Sequence, residues 1–121
     1  MKAIFDTNIL IDYLKGYTVA SEELNRFEVK AISIITYIEI LVGLHDKSVI
    51  ESVKNFLNSL HIVPVNQKIA DLSVIARKKY KLKVPDAIIF ATAQSLDALL
   101  ITRNTKDFPP SIPIVRIPYN L

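Results

Sequence analysis

The sequence predicts an α/β fold in which a mostly parallel, twisted sheet is covered by helices on both faces. Short β-branched or leucine-rich runs alternate with longer segments of helical periodicity along the chain. The short runs are continuously apolar, as strands buried on both faces require. Half of the 121 residues are apolar, enough for the core of one domain, 1–121, without disulfides or structural metal.

Lys2 to Phe5 reads as a short buried strand. Thr7 to Lys15 is helical, with Ile9 or Leu10, Tyr13 and Leu14 on one side, and Gly16 stops it. Ser21 is placed to cap the next helix, with Glu22 and Glu23 suiting its first turn. Ala31 to Ile34 is a second strand, and Thr36 then starts a helix through Ile40 to Leu44. From Lys47 to Leu60, Val49, Val53, Phe56, Leu57 and Leu60 recur at helical spacing. Ile62 to Val65 is strand-like, and Pro64 places it at a sheet edge. Asn66 caps a helix to about Tyr80 with Ile69, Leu72, Ile75 and Ala76 inward. Pro85 sits where a helix begins, and that helix runs from Asp86 to about Leu96. Leu99 to Thr102 is a buried strand, Asn104 to Pro110 a loop, and Ile114 to Ile117 a last short strand.

Composition excludes several classes. With no cysteine there is no disulfide framework, thiol site or Cys-based zinc site, which fits a reducing cytoplasm. The N-terminal apolar run is broken by Asp6 and Asp12 and does not read as a signal peptide. No stretch is long and apolar enough to span a bilayer, so a soluble protein is expected. Only two glycines are present, which argues against a phosphate-binding P-loop. The net charge of +3 is mild, but Arg77, Lys78, Lys79, Lys81 and Lys83 crowd one stretch before Asp86. Such a run is either a solvated helix end or a surface for a nucleic-acid backbone.

Ligands in open α/β sheets bind beyond the carboxyl ends of the strands. Asp6 follows the first strand, and Glu39 lies in the first turn of the helix after the second. Asp86 opens a helix, and Asp107 lies in the loop after Leu99–Thr102. Each also has a plain structural explanation. Asp6 can be an N-cap, and Thr36-Tyr37-Ile38-Glu39 matches a capping box. Asp86 suits a helix dipole, and Asp107 suits a turn. Jointly, one acid at each of four such ends points to carboxylates gathered for a hard divalent cation, Mg²⁺ or Mn²⁺. Asp12, Asp46, Asp71 and Asp97 occupy no such positions and are expected on the surface, and His45 and His61 are expected to be surface or structural.

These residues carry a resemblance. Ile4-Phe5-Asp6-Thr7-Asn8-Ile9-Leu10-Ile11-Asp12-Tyr13 resembles the opening of PIN-domain proteins, especially VapC-type toxins. Ser33-Ile34-Ile35-Thr36-Tyr37-Ile38-Glu39-Ile40 resembles their glutamate-bearing helix. Val84-Pro85-Asp86-Ala87-Ile88-Ile89-Phe90-Ala91-Thr92-Ala93 and Leu100-Ile101-Thr102-Arg103-Asn104-Thr105-Lys106-Asp107-Phe108 resemble their third and fourth motifs. The four come in the family's order and span nearly the whole chain. The resemblance implies a three-layer α/β/α PIN-like fold. It implies an Mg²⁺- or Mn²⁺-dependent endoribonuclease, often acting on transfer or ribosomal RNA. It also implies a homodimer and a VapB-type antitoxin whose tail covers a hydrophobic groove. The family's acid quartet maps onto Asp6, Glu39, Asp86 and Asp107. Some relatives carry the fourth acid three residues earlier, where Asn104 stands, so Asn104 is read as a neutral oxygen ligand or water-orienter. Thr7, Asn8 and Thr102 are read as hydrogen-bonders that orient the carboxylates.

The expected reaction is hydrolysis of an RNA phosphodiester by metal-activated water, with one or two ions. Asp6 and Asp86 are the principal ligands. Glu39 binds metal or positions the water, and Asp107 completes the cluster. Arg77 to Lys83, with Arg103, would draw the RNA backbone. Of the rivals, a haloacid-dehalogenase-type phosphatase wants an aspartate where Asn8 stands, and a response-regulator receiver wants adjacent acids near the first strand and a later phosphoacceptor, a set that cannot be placed on this chain. A non-catalytic PIN-like module that binds RNA or protein is the alternative from another class.

Overall fold

The computed structural model describes all residues from Met1 to Leu121. In chain order the elements are β1 Lys2–Phe5, α1 Thr7–Leu14, α2 Thr18–Asn25, β2 Val29–Ser33, α3 Ile34–Val42 and α4 Lys47–Asn58. They continue with β3 His61–Val63, α5 Gln67–Tyr80, α6 Val84–Leu96, β4 Leu99–Ile101 and β5 Val115–Arg116. The strands form one sheet in the order β3-β2-β1-β4-β5, and every pairing is parallel. The expected parallel sheet and the edge position of the strand before Pro64 are both found.

Side-chain alternation along each strand builds two cores. Ile4, Ala31, Val63, Leu100 and Val115 face one way, onto the buried side of α5 and α6 and onto Phe108. Ala3, Phe5, Ile32 and Ile101 face the other way, against Ile9, Leu10, Leu24, Ile40, Val53 and Leu57 of α1–α4. Phe90 is 1% exposed and anchors the first layer, edge-on to Tyr80 at 5.3 Å and stacked with Phe108 at 6.4 Å. β1 is the central strand, and the chain leaves it toward β2 on one side and returns to β4 on the other. That reversal makes the carboxyl ends of β1 and β4 the switch point of the sheet, where open α/β sheets place their sites.

Local chemistry sets the helix ends. Gly16 stops α1 with φ +90, a conformation that costs a residue without Cβ little. Asn66 caps α5 through the Ile69 N–H at 2.8 Å, as its position foretold. Asp46 is exposed, as expected, and caps α4 by accepting from the Ser48 and Val49 N–H groups.

Several expectations shift. Ser21 lies inside α2, because the turn after Gly16 is tight enough for the helix to begin at Thr18. β2 starts earlier than Ala31 and ends at Ser33, whose hydroxyl caps α3 by accepting from the Ile35 N–H at 3.1 Å. Thr36 is therefore buried within the first turn of α3, Glu39 falls in the second, and the capping-box explanation of Glu39 lapses. Ile75 is 61% exposed, because α5 packs along the Ile69–Ser73–Ala76 stripe. Ile75 lies about 120° round the helix from Ile69. Asp12, expected at the surface, is 3% exposed.

Ile69→Ala is expected to cost about 2–5 kcal/mol by leaving a cavity under α5. Asn66→Ala should cost about 1 kcal/mol by removing the cap. Urea denaturation of both variants reads the two contributions; equal losses would contradict this division.

Candidate active site

The sheet hydrogen bonding runs right up to the switch point. The Asp6 N–H donates to the Ile101 carbonyl at 2.9 Å, and the Thr102 N–H donates to the Arg116 carbonyl at 3.1 Å. Asp6 and Thr102 thus leave adjacent strands at rigid points. The Asp6 side chain is an N-cap, accepting from the Thr7 N–H at 2.8 Å through Oδ1. Its Oδ2 accepts from Thr102 Oγ1 at 2.8 Å and Asn8 Nδ2 at 3.1 Å. Asp6 is 4% exposed. Burial is the largest influence on its carboxyl and pushes it up; the Thr102, Thr7 and Asn8 donors oppose this, and the Glu39 charge adds to it.

Glu39 comes from α3 and is exposed, but its direction is set. Thr7 donates to Glu39 Oε1 at 2.6 Å, and the Thr7 and Thr36 hydroxyl oxygens lie 3.1 Å apart. Glu39 also borders a groove of about 530 Å³ between α1, α3 and α4, whose walls include Leu14, Ile40, Leu44 and Val53.

Asp86 lies in the first turn of α6, behind Pro85. Its carboxyl is pushed up to about 6, first by burial and then by the charges of Asp6, Asp107 and Glu39, with Lys83 opposing. Every other member of the acid quartet is therefore within electrostatic reach of Asp86. Asp107 is half-buried after β4 and held by Asn104, whose Nδ2 donates to Asp107 Oδ2 at 2.8 Å. Asn104 Oδ1 in turn accepts from the Asp107 N–H at 3.2 Å, so Asn104 works as an orienter of Asp107.

The protein buries three carboxylates. Asp12 is paired with Arg103 at 2.6 Å, and Glu23 with Arg116 at 2.6 Å and Arg26 at 3.1 Å. Asp6 has dipolar partners and no ion pair, although it faces further acids. No three acids or histidines converge closely enough to hold an ion as they stand. The donor set is all oxygen, which fits a hard divalent ion such as Mg²⁺ or Mn²⁺.

The basic residues divide. Lys83 stands at the N-cap of α6 beside Asp86. Arg77, Lys78 and Lys79 form the last turn of α5, where cations suit the helix dipole, and Lys81 follows in a left-handed conformation. Arg77 is exposed and donates to the Leu82 carbonyl at 2.6 Å, and Lys79 lies 5.2 Å from the centre of the Tyr80 ring. Arg103, expected as a free cation for RNA, grips Asp12 with Nε and Nη2 at 2.6 and 3.0 Å. Its backbone N–H donates to Asn8 Oδ1 at 3.1 Å. Thr36, Asp12 and Tyr119 were not foreseen around the site. The i, i+4 spacing of Asn8 and Asp12 on α1 was the available signal for Asp12, since it puts both on one helix face.

Residues 3–109 match the PIN domain family. The chain is 29% identical over 125 residues to Ribonuclease VapC19 of Mycobacterium tuberculosis (strain H37Rv), covering 96% of this chain and 98% of that protein. It superimposes on a chain of a toxin-antitoxin complex from Klebsiella pneumoniae with a TM-score of 0.93 and 45% identity, covering 99% of this chain and all of the other. A chain of DNA-bound VapBC from Salmonella typhimurium shares the fold, with a TM-score of 0.81 at 24% identity and coverage of 97% and 96%. The expected recognition and fold class are borne out.

The repulsion on Asp86 makes a pH prediction. Its carboxyl ionises at about 6 in the folded protein against an ordinary value of 3.8. Between those values the folded state holds a proton that the unfolded chain has released, so this group's contribution to stability falls as pH rises. In EDTA, Asp86→Asn should gain melting temperature relative to the parent between about pH 4 and pH 6.5. A constant difference across that window would mean that Asp86 is not strained by its neighbours.

Proposed function

This chain belongs to the PIN domain family, and on that premise we propose that it is the toxin ribonuclease of a toxin–antitoxin pair. It cleaves RNA internally by hydrolysis of phosphodiester bonds and acts in the cytoplasm on transfer or ribosomal RNA. The observation that carries this is the buried Asp6 carboxylate, left without a cationic partner where Glu39, Asp86 and Asp107 come within reach.

Asp6 and Asp86 would hold Mg²⁺ or Mn²⁺, Glu39 would bind it or position the attacking water, and Asp107 would complete the set. When bound, the ion lowers the pKa of water and neutralises charge on the phosphoryl oxygens. The chain's own contribution is alignment. Thr102, Asn8 and the Thr7 N–H fix both oxygens of Asp6. The Thr7 hydroxyl aims Glu39, and Asn104 aims Asp107. Such outer hydrogen bonds are worth about 10–100-fold in metal affinity or activity at metal sites. Lys78, Lys79, Lys81 and Lys83 supply the cations that draw the RNA backbone. Arg77 is exposed beside them, whereas Arg103 is engaged by Asp12.

The partner is a VapB-type antitoxin, and its tail is assigned to the apolar groove that ends at Glu39. A segment seated there would lie beside the acids, so inhibition and catalysis would share one end of the sheet. The active unit is proposed to be a homodimer.

Purified protein should cut a total transfer-RNA pool with Mg²⁺ or Mn²⁺ and not with EDTA, and folded Asp6→Asn and Asp86→Asn variants should lose about 100-fold or more of that activity. Absence of both cutting and metal binding would instead favour a non-catalytic binding module. A Lys79→Ala, Lys81→Ala double variant should bind RNA more weakly and lower the salt dependence of binding by about one to two counterions. Unchanged salt dependence would exclude this stretch as the RNA surface.

A further inference from the structure

Arg103 is the meeting point of three segments that are far apart in sequence. Its guanidinium forks onto both oxygens of Asp12, and the Tyr119 hydroxyl donates to Asp12 Oδ2 at 2.8 Å. Asp12 is 3% exposed, so these donors compensate a carboxylate that water does not reach. Burial first, and then the hydrogen bond to Asp12 and the Asp12 charge, keep the Tyr119 hydroxyl well above its ordinary pKa, so it remains a neutral donor. One helical turn earlier, Asn8 accepts from the Arg103 N–H at 3.1 Å. Two successive turns of α1 therefore hold the backbone and the side chain of one residue.

That residue begins the turn bearing Asp107. Thr102, immediately before it, bonds Asp6. Asn104, immediately after it, donates its N–H to Thr102 Oγ1 at 3.0 Å and its amide to Asp107. The far end of the turn is tied by the Phe108 N–H to the Asn104 carbonyl at 3.0 Å and by the fully buried Phe108 ring. Between these anchors Thr105 and Lys106 are exposed. The position of Asp107 relative to Asp6 thus depends on how firmly the Arg103 end is held.

We propose that Asp12, Arg103 and Tyr119 are positioning residues: a clamp through which the C-terminal segment fixes the Thr102–Phe108 turn and sets Asp107 against Asp6. The inference rests on the acid-site reading, but the clamp itself has a readout that needs no metal. A guanidinium fork matches a carboxylate at two points, whereas an ammonium offers one charged point on a flexible stem. Arg103→Lys therefore keeps the charge and loses the geometry, and Tyr119→Phe removes a single hydroxyl.

The experiment is amide hydrogen exchange on the metal-free protein, followed by Mn²⁺ titration calorimetry and RNA cleavage kinetics, for Arg103→Lys, Tyr119→Phe and Asp12→Asn. In Arg103→Lys, exchange at residues 103, 107 and 108 should quicken by about tenfold or more while the β1 and β4 amides keep the parent rates. Mn²⁺ affinity and kcat should fall by about tenfold with KM for RNA little changed. Tyr119→Phe should move the same quantities in the same direction by less. Asp12→Asn serves as a third test if it folds, and the other two variants decide the matter if it does not. Parent-like exchange in the turn would overturn the clamp, as would faster exchange with parent-like Mn²⁺ affinity and kcat. A raised KM and altered salt dependence at unchanged Mn²⁺ affinity would make Arg103 an RNA contact instead. Failure of the parent protein to bind Mn²⁺ would count against the metal site, and exchange in the metal-free turn would still decide the clamp.

Discussion

Asp6 sits where the polypeptide leaves its central strand, with 4% of its surface exposed and no cation at bonding distance. Removing a carboxylate from water is expensive unless hydrogen bonds or an opposite charge replace the lost hydration. The protein answers with three donors from Thr7, Asn8 and Thr102, and those donors organise much of what surrounds them. Thr102 ties the end of β4 to the end of β1. Asn8, through its other amide atom, takes the Arg103 N–H. Thr7 passes the network on to Glu39 and Thr36. One buried charge thereby links the three segments that carry Asp6, Glu39 and Asp107.

The contrast with the other buried carboxylates sharpens the point. Asp12 and Glu23 each receive an arginine fork, from Arg103 and Arg116, and both arginines come from the C-terminal quarter of the chain. These pairs fasten the last segments onto α1 and α2. Removing one partner would strand a buried charge, which is the costly event in such pairs, rather than forfeit a large net attraction. At the acid site the same chain leaves the charge uncompensated, with Lys83 the cation that lowers the Asp86 carboxyl. That deficit is what the proposed divalent ion would make good, and a resident arginine would compete with it.

The layered architecture gives the site its stiffness. Parallel strands with an apolar layer on each face leave β1 and β4 little freedom, and their carboxyl ends are held in the ladder up to Asp6 and Thr102. Glu39 and Asp86 are delivered by helices capped in different ways, α3 by the Ser33 hydroxyl and α6 without a side-chain cap but with Pro85 in its first turn. Asp107 alone rides on a loop, and it is the acid whose placement depends on packing of Phe108 and on side-chain clamps. The chain of the Klebsiella pneumoniae toxin-antitoxin complex, 45% identical over 99% of this chain, shares this frame.

The parallel sheet was legible in the sequence because strands buried on both faces must be continuously apolar, and Lys2–Phe5 and Leu99–Ile101 are written that way. Pro64 announced an edge strand and Asn66 a cap, because a missing donor and a short side-chain acceptor act within a few residues of themselves. The acids at the ends of elements were legible for the same local reason. The start of α2, the exposure of Ile75 and the burial of Asp12 were not. A helix face becomes interior only when another element arrives to cover it, and local spacing says nothing about that arrival. Arg103 read as a free cation because its partner lies 91 residues away. Local sequence determined which segments are strands and helices and where the carboxylates stand along them. Tertiary structure decided which charges are neutralised and which are left without a cationic partner, because electrostatic compensation depends on distance through space.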